Sequence, residues 1–259
     1  MEWTIIKVPF STDVTDDLVK RQGPDLLCKD YNSDFTKTVA TLDPNLGGWI
    51  TLSRELVELS GERPLWIAGE CTVAPGAFGW LQRRISPLHI IWLDAHGDLN
   101  TPDTSMSGNL AGMPLGWILG RFTPLEGVNV LEPIAPENVT LFGVRDLDPN
   151  EVEYIQNQRI FMASKVSEVI KRVSKLGHPV YMHIDLDALN PKENPAVSIP
   201  VKGGISVQQL VTLLETLVNG KWLAGVSLAS YNFKNDAHRR GELAISRIFQ
   251  TLGIDGLGV

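Results

Sequence analysis

Short apolar runs recur along the chain, separated by segments of helical or turn character. Trp3–Val8, Pro64–Gly69, His89–Ala95, Asn138–Val144, Ile160–Ala163, Pro179–Leu189 and Trp222–Ser230 read as strands. Most are apolar almost throughout, as parallel strands covered on both faces must be. Between them lie helical patterns. Ile50–Gly61 carries leucines at helical spacing and ends at a glycine. Ser206–Gly220 opens with a capping box, Ser206 and Gln209, and closes on Asn219-Gly220. Asp236–Gly253 reads as a last helix despite its internal Gly241. Strands alternating with helices predict a doubly wound α/β sheet. No linker, repeat or low-complexity stretch interrupts the pattern, so residues 1–259 read as one domain. In such sheets ligands bind outside the carboxyl ends of the strands.

Composition narrows the class. At 259 residues the chain is long enough to bury a substantial core. A net charge of −7 argues against nucleic acid and anionic membrane surfaces as partners. The two cysteines, Cys28 and Cys71, make no disulfide framework and fit a reducing compartment. Cys28, in GPDLLCKDY, reads as structural. The start, MEWTIIKVPFS, lacks the basic opening and cleavage site of a signal peptide. No apolar run reaches the roughly 18 residues of a membrane span. A cytoplasmic location is expected.

Four strand ends carry chemistry: Cys71 in AGECT, Asp94, His96 and Asp98 in DAHGD, His183, Asp185 and Asp187 in HIDLD, and Ser230 in LASYN. Alternate residues of a strand share a face. Asp94 and His96 therefore point together, and Asp98 follows if the backbone stays extended. Asp185 and Asp187 share a face with His183 ahead of them. Taken singly, each has an ordinary explanation. An aspartate after a strand is commonly a cap, a histidine in an apolar strand a satisfied core residue, and a cysteine a small buried hydrophobe. If the two strand ends lie side by side, their four carboxylates repel one another unless a cation joins them. Carboxylates with imidazole suit Mn²⁺, Zn²⁺ or Fe²⁺. Their number suggests two ions about 3.5–4 Å apart.

DAHGDLNTP, then SGNLAGMP, then HIDLDALNP resembles the arginase/agmatinase (ureohydrolase) family. The resemblance runs from about Gly69 to Phe233, with a weaker echo at Gly23-Pro24. It implies a three-layer α/β/α sandwich around a parallel, mostly eight-stranded sheet, and two Mn²⁺ ions sharing a bridging hydroxide. By the same resemblance Asp94 and Asp185 bridge both ions, Asp98 completes one site, and His96 with Asp187 the other. Cys71 stands where the family's first ligand histidine normally stands. Asp98 then orients the hydroxide and moves its proton, with His183 as a second candidate catalytic group. Asn100 and Ser107 match positions that bind an α-carboxylate, and Asp148, with Glu151 nearby, the position that meets an α-amino group. Trimers or hexamers are common in the family.

Three positions depart from the family pattern. A thiolate at Cys71 is softer than imidazole and shifts preference toward Zn²⁺ or Fe²⁺. A hydroxyarginine-hydrolysing branch looks similar there. Ala111 replaces a histidine that arginases are thought to use as a proton shuttle. Ser230 replaces a glutamate that pairs with guanidinium, a change worth about 2–5 kcal/mol of binding. Glu242, on the following helix, is another carboxylate, though nothing in the sequence brings it to the site. The expected activity is metal-dependent hydrolysis of a C–N bond in a small guanidino, hydroxyguanidino or amidino compound. The alternative is an impaired family member that binds a metabolite or a partner.

Overall fold

The structure is a computed structural model and describes residues 3–12, 17–28, 36–38, 42–59, 61–127 and 129–254. Eight strands form one sheet: β1 (Thr4–Val8), β2 (Thr36–Thr38), β3 (Pro64–Ala68), β4 (His89–Leu93), β5 (Val139–Phe142), β6 (Phe161–Ala163), β7 (Val180–Asp185) and β8 (Leu223–Ala229). Their spatial order is β2-β1-β3-β8-β7-β4-β5-β6, and every pairing is parallel. The seven strands expected from the apolar runs are all present. β2 is the addition, a three-residue edge strand that no apolar run marks.

Among the described residues eight helices cover the sheet: α1 (Asp17–Leu27), α2 (Leu46–Glu58), α3 (Ala74–Gln82), α4 (Pro114–Ile118), α5 (Pro149–Gln158), α6 (Val166–Leu176), α7 (Val207–Asn219) and α8 (Arg240–Leu252). Strand side chains alternate between two cores. Ile67, Ile91, Met182, Ile184 and Leu228 face α6, α7 and α8. Trp66, Ile90, Trp92 and Tyr181 face α2, α3 and α4. Burial on both faces is why the strands are apolar at both parities.

Helix ends differ from the sequence reading in instructive ways. The box at Ser206 and Gln209 caps α7 as expected. α2 starts at Leu46, before Ile50, because Asn45 Oδ1 accepts a bond from the Gly48 N–H at 2.9 Å. Ser60, inside the expected helix, lies outside the described residues. α8 starts at Arg240 instead of Asp236. The Asp236 carboxylate accepts the N–H groups of Gly241 and Glu242, both at 2.9 Å, and so caps the helix from outside it. Gly241 is tolerated in α8 because a Cβ there would stand 2.3 Å from the Ala196 Cβ. Among the described residues no helix is long and apolar enough to cross a membrane.

Candidate metal centre

The carboxyl ends of four neighbouring strands, β3, β8, β7 and β4, open into one cleft of about 250 Å³. Cys71, Asp94, His96, Asp98, Asp185, Asp187 and Ser230 line it, with Asn100, Ser107, Ala111, Asp148 and Glu151. One of the expected site residues does not fit its assigned place. His183 is wholly buried beneath the cleft and does not line it, so it is not a group that meets substrate. Glu242 pairs with Arg239, accepts from the Tyr231 hydroxyl at 3.5 Å, and does not line the cleft.

Local geometry explains how the donors converge. β4 ends at Leu93, and the next turn is pinned by its own carboxylate: Asp94 Oδ1 accepts the His96 N–H at 2.7 Å. Asp98 does not continue an extended strand as anticipated. Its φ is +50°, and this left-handed turn brings the carboxylate back toward Asp94. On β7, Asp185 Oδ1 accepts the Asp187 N–H at 2.8 Å, making a tight 3₁₀ turn. Asp187 Oδ1 then accepts the Ala95 N–H at 3.0 Å, which ties the two strand ends together. Cys71 opens a 3₁₀ turn before α3. Gly69 lets this turn lie close to its neighbours, since a Cβ there would stand 2.4 Å from the Phe10 carbonyl oxygen.

Ligand-type atoms gather in two sets that share Asp94. Cys71, Asp94 and His183 place donor atoms within 4.8 Å of one another, as do Asp94, His96 and Asp187. His96 Nδ1 is 3.0 Å from Asp187 Oδ2 and 3.4 Å from Asp94 Oδ1. Cys71 Sγ donates to Asp185 Oδ2 at 2.9 Å, and the Ser230 hydroxyl donates to the same oxygen. Asp98 belongs to neither tight set, yet its Oδ2 is buried without a partner.

The electrostatics are those of crowded acids in a dry place. Burial first, then Asp187, pushes Asp185 up to about 7. Burial, then Asp94, pushes Asp187 up to about 6. Asp98 is raised well above the usual carboxylate range by burial and by Asp94. Burial works to lower His96, but bonds to Asp187 and Asp94 overcome it and hold the imidazolium up to about 12. Burial and the surrounding aspartates raise the Cys71 thiol well above its ordinary value. Positive charge is what this floor calls for. The residues present fit divalent cations: an orphaned buried carboxylate oxygen, an orphaned imidazole nitrogen, and a mixed oxygen, nitrogen and sulfur donor set.

A model of the arginase family matches residues 1–253. The chain belongs to the arginase family. It is 36% identical over 188 residues to an arginase of Brevibacillus brevis, covering 67% of this chain and 62% of that one. The chain thus spans just under two thirds of that relative's length. The crystal structure of arginase from Bacillus subtilis has a TM-score of 0.83 at 26% identity, covering 97% of this chain and 98% of that one. Proclavaminate amidino hydrolase from Streptomyces clavuligerus has a TM-score of 0.76 at 18% identity, covering 97% and 90%, a likeness of fold. The arginase-like α/β/α sandwich is therefore established independently of any single motif.

Around this arginase-family cleft the structure shows what the sequence reading assigned imperfectly. Asn100 Nδ2 donates to Asp148 Oδ2 at 2.8 Å, so two of the expected substrate contacts form one pair on the cleft wall. Ser107 is exposed at the mouth, where its Oγ accepts the Asn109 N–H at 3.2 Å. Glu151 is a brace: one oxygen accepts the Leu99 N–H and the other the Asp148 N–H, both at 2.9 Å. Each oxygen keeps a further lone pair, and Glu151 still lines the cleft. Sequence reasoning passed over Glu70 and Arg145. Glu70 is buried beside Cys71 and accepts from Ser11, Thr12 and Thr72, with Lys20 Nζ at 3.9 Å. A charge between Gly69 and Cys71, at a strand end, was the available signal. Arg145 had none, because all but one of its partners, the Gly143 carbonyl, are carbonyls remote in sequence.

Proposed function

We propose that this chain is a divalent-metal-dependent hydrolase of a C–N bond in a small guanidino, hydroxyguanidino or amidino compound with an amino-acid-like head. One observation carries the reading. Two sets of ligand-type atoms share Asp94 at the floor of a small cleft, and the orphaned Asp98 oxygen lies beside them. Cys71, Asp94, Asp98 and Asp185 would hold one ion, and Asp94, His96, Asp185 and Asp187 the other. Bound divalent cations supply water acidic enough to attack at neutral pH. Asp98 holds the proton from that water and delivers it to the departing nitrogen. The wall pair sets the substrate's direction: Asp148 offers a carboxylate to an ammonium group, and Asn100 and Ser107 offer donors to a carboxylate. At about 250 Å³ the cleft is smaller than typical drug-sized sites, which run upward of about 300 Å³, and suits a compact substrate.

A second reading, an impaired member that binds without turnover, draws on Ser230 and Ala111. The Ser230 hydroxyl is committed to Asp185, and alanine offers no proton relay. The two readings separate on metal content and products. Protein purified without chelator is expected to carry two ions, falling to about one in Cys71→Ala. It is expected to release urea or hydroxyurea from arginine-like substrates. Two ions with no product from any guanidino, hydroxyguanidino or amidino compound would favour the binding reading. No ion, even after addition of Mn²⁺, Zn²⁺ or Fe²⁺, would sink both the metal site and the hydrolase.

A further inference from the structure

We infer that His183 is a metal ligand, and that with Cys71 and Asp94 it forms a sulfur–nitrogen–oxygen site selective for Zn²⁺ over Mn²⁺. The inference deepens the metallohydrolase reading and rests on it. His183 is fully buried in the middle of β7, two residues before Asp185, on the sheet face beneath Cys71. Its donor atom lies within 4.8 Å of those of Cys71 and Asp94. Its two ring nitrogens are treated very differently. Nδ1 is 2.7 Å from Ser227 Oγ, which is 2.7 Å from the Tyr181 hydroxyl. Nε2 has no partner.

A buried polar atom left without a partner is costly. In the tautomer in which Nδ1 donates to Ser227 Oγ, the unpartnered Nε2 carries the lone pair, which is the arrangement of a ligand held by its outer hydrogen bond. The ring cannot turn away, because Trp92 stacks on it with centroids 4.0 Å apart and planes at 27°. Trp92 and His183 are register partners on β4 and β7, so the backbone ladder itself fixes this stack. Ser227 is in turn the register partner of His183 on β8. The three central strands therefore each contribute one part: the stacking wall, the imidazole and the hydrogen bond that sets its tautomer.

The donor set decides the metal. Thiolate with imidazole matches Zn²⁺, which takes sulfur at about 2.3 Å and nitrogen at about 2.0–2.1 Å in tetrahedral sites. Carboxylate and water suit Mn²⁺. The set containing His96 has no sulfur. The two sites should therefore differ in preference, with the Cys71 side the tighter Zn²⁺ site. On binding, the Cys71 thiol gives up its proton to solvent.

The test is X-ray absorption at the zinc edge on full-length protein loaded with one equivalent of Zn²⁺, in wild type, His96→Ala and His183→Gln. The expected wild-type shell contains one sulfur at about 2.3 Å and imidazole. That shell persists in His96→Ala. In His183→Gln the imidazole signal disappears, and Zn²⁺ affinity drops by more than the about 10–100-fold that removal of an outer hydrogen-bond partner costs. Ser227→Ala, which keeps the ligand and loses only that partner, should fall within the 10–100-fold range. Should His183→Gln fail to fold, His96→Ala alone decides. Sulfur with imidazole there supports His183, and sulfur without imidazole overturns it while leaving the metal site standing. A wild type that takes up no ion would bring down the metallohydrolase reading as well. Undiminished Zn²⁺ affinity in a folded His183→Gln refutes the proposal by itself.

Discussion

Replacing Arg145 with methionine should unsettle the cleft more than any single surface change. Its guanidinium donates to carbonyls on three separate stretches: Gly143 at 2.8 Å, Asp187 at 2.8 Å and Ala188 at 3.3 Å, and Val201 at 2.9 Å with Lys202 at 3.3 Å. It thereby clamps the end of β5 and the later loop onto the Asp187 turn. Methionine keeps the stem's volume and removes every donor. The Asp187 carbonyl belongs to a buried residue and loses its charged donor, and a buried group left unpaired costs about 1–3 kcal/mol, whereas the Ala188 carbonyl keeps the Ile205 N–H at 3.1 Å. The more open carbonyls regain water. The expected loss is at most about 3 kcal/mol, which for a chain of this size lowers Tm by at most about 6–12 °C. Arg83 is the control. It pairs with Glu58 at 2.6 Å, but both side chains are largely exposed, and Arg83→Met should cost under about 1 kcal/mol. Arg145→Lys cannot span the same carbonyls with one ammonium and should recover less than half of the loss. Calorimetry on the metal-free proteins reads this directly. Equal Tm shifts for the Arg145 and Arg83 variants, or full rescue by lysine, would refute the clamp.

Three further outcomes follow from the same structure. His89 is fully buried with Nε2 2.9 Å from Thr140 Oγ1, and burial pushes it down from 6.5 to about 3. The unfolded chain takes up a proton below about pH 6.5 that the folded chain refuses until about pH 3. This contribution to stability is therefore whole above 6.5 and lost as pH falls, by about 2 kcal/mol at pH 5. Urea midpoints for wild type and His89→Gln should diverge less at pH 5 than at pH 8, and parallel curves would contradict the burial argument. Of the two thiols, Cys28 is buried outside the cleft, with burial pushing it up to about 12, whereas Cys71 lines the cleft. A disulfide reagent should modify Cys71 slowly in chelated protein and not at all after Zn²⁺ is added; reaction at Cys28 first would be the contrary result. Asp98→Asn leaves both tight donor sets intact. It should reduce turnover by about 10²–10⁴-fold even at saturating metal, with the ion on the Cys71 side held more weakly, and unchanged turnover would remove Asp98 from proton transfer.

The strands were legible because parallel strands covered on both faces are written as unbroken apolar runs, and the cleft was legible because its acids follow those runs directly. What escaped did so for identifiable reasons. β2 is three residues at the sheet edge, with no buried stripe to mark it. α3 carries Pro75, Gly76 and Gly79 and is buried nearly all round, so its sequence has neither a polar face nor high helix propensity. The period-2 argument placed Asp94 and His96 correctly on one side and failed for Asp98, because a left-handed residue cannot be read from alternation. His183 was visible as an anomaly in an apolar strand. Its stacking on Trp92 was not, since strand register couples residues about ninety positions apart.

Two of the three departures that the family resemblance implies fall together. Cys71, at the end of β3, and Ser230, at the end of β8, both donate to the same oxygen of Asp185 on β7. His183 lies two residues before that aspartate and shares a donor cluster with Cys71. A site drifting without function loses ligands one at a time, and the buried acids left behind raise the cost of folding, since each like charge in the dry floor is unpaired. Here the acids at Asp94, Asp98, Asp185 and Asp187 all persist in the buried floor. The altered residues at Cys71 and Ser230 are polar, buried or half-buried, and hydrogen-bonded to one of those acids. Ala111 sits apart from them at the rim, where its loss of a side chain affects access and proton relay, not the floor. Changes concentrated on one side of Asp185, with the His96 side left in its oxygen and nitrogen form, are what a change of metal at a single site would require.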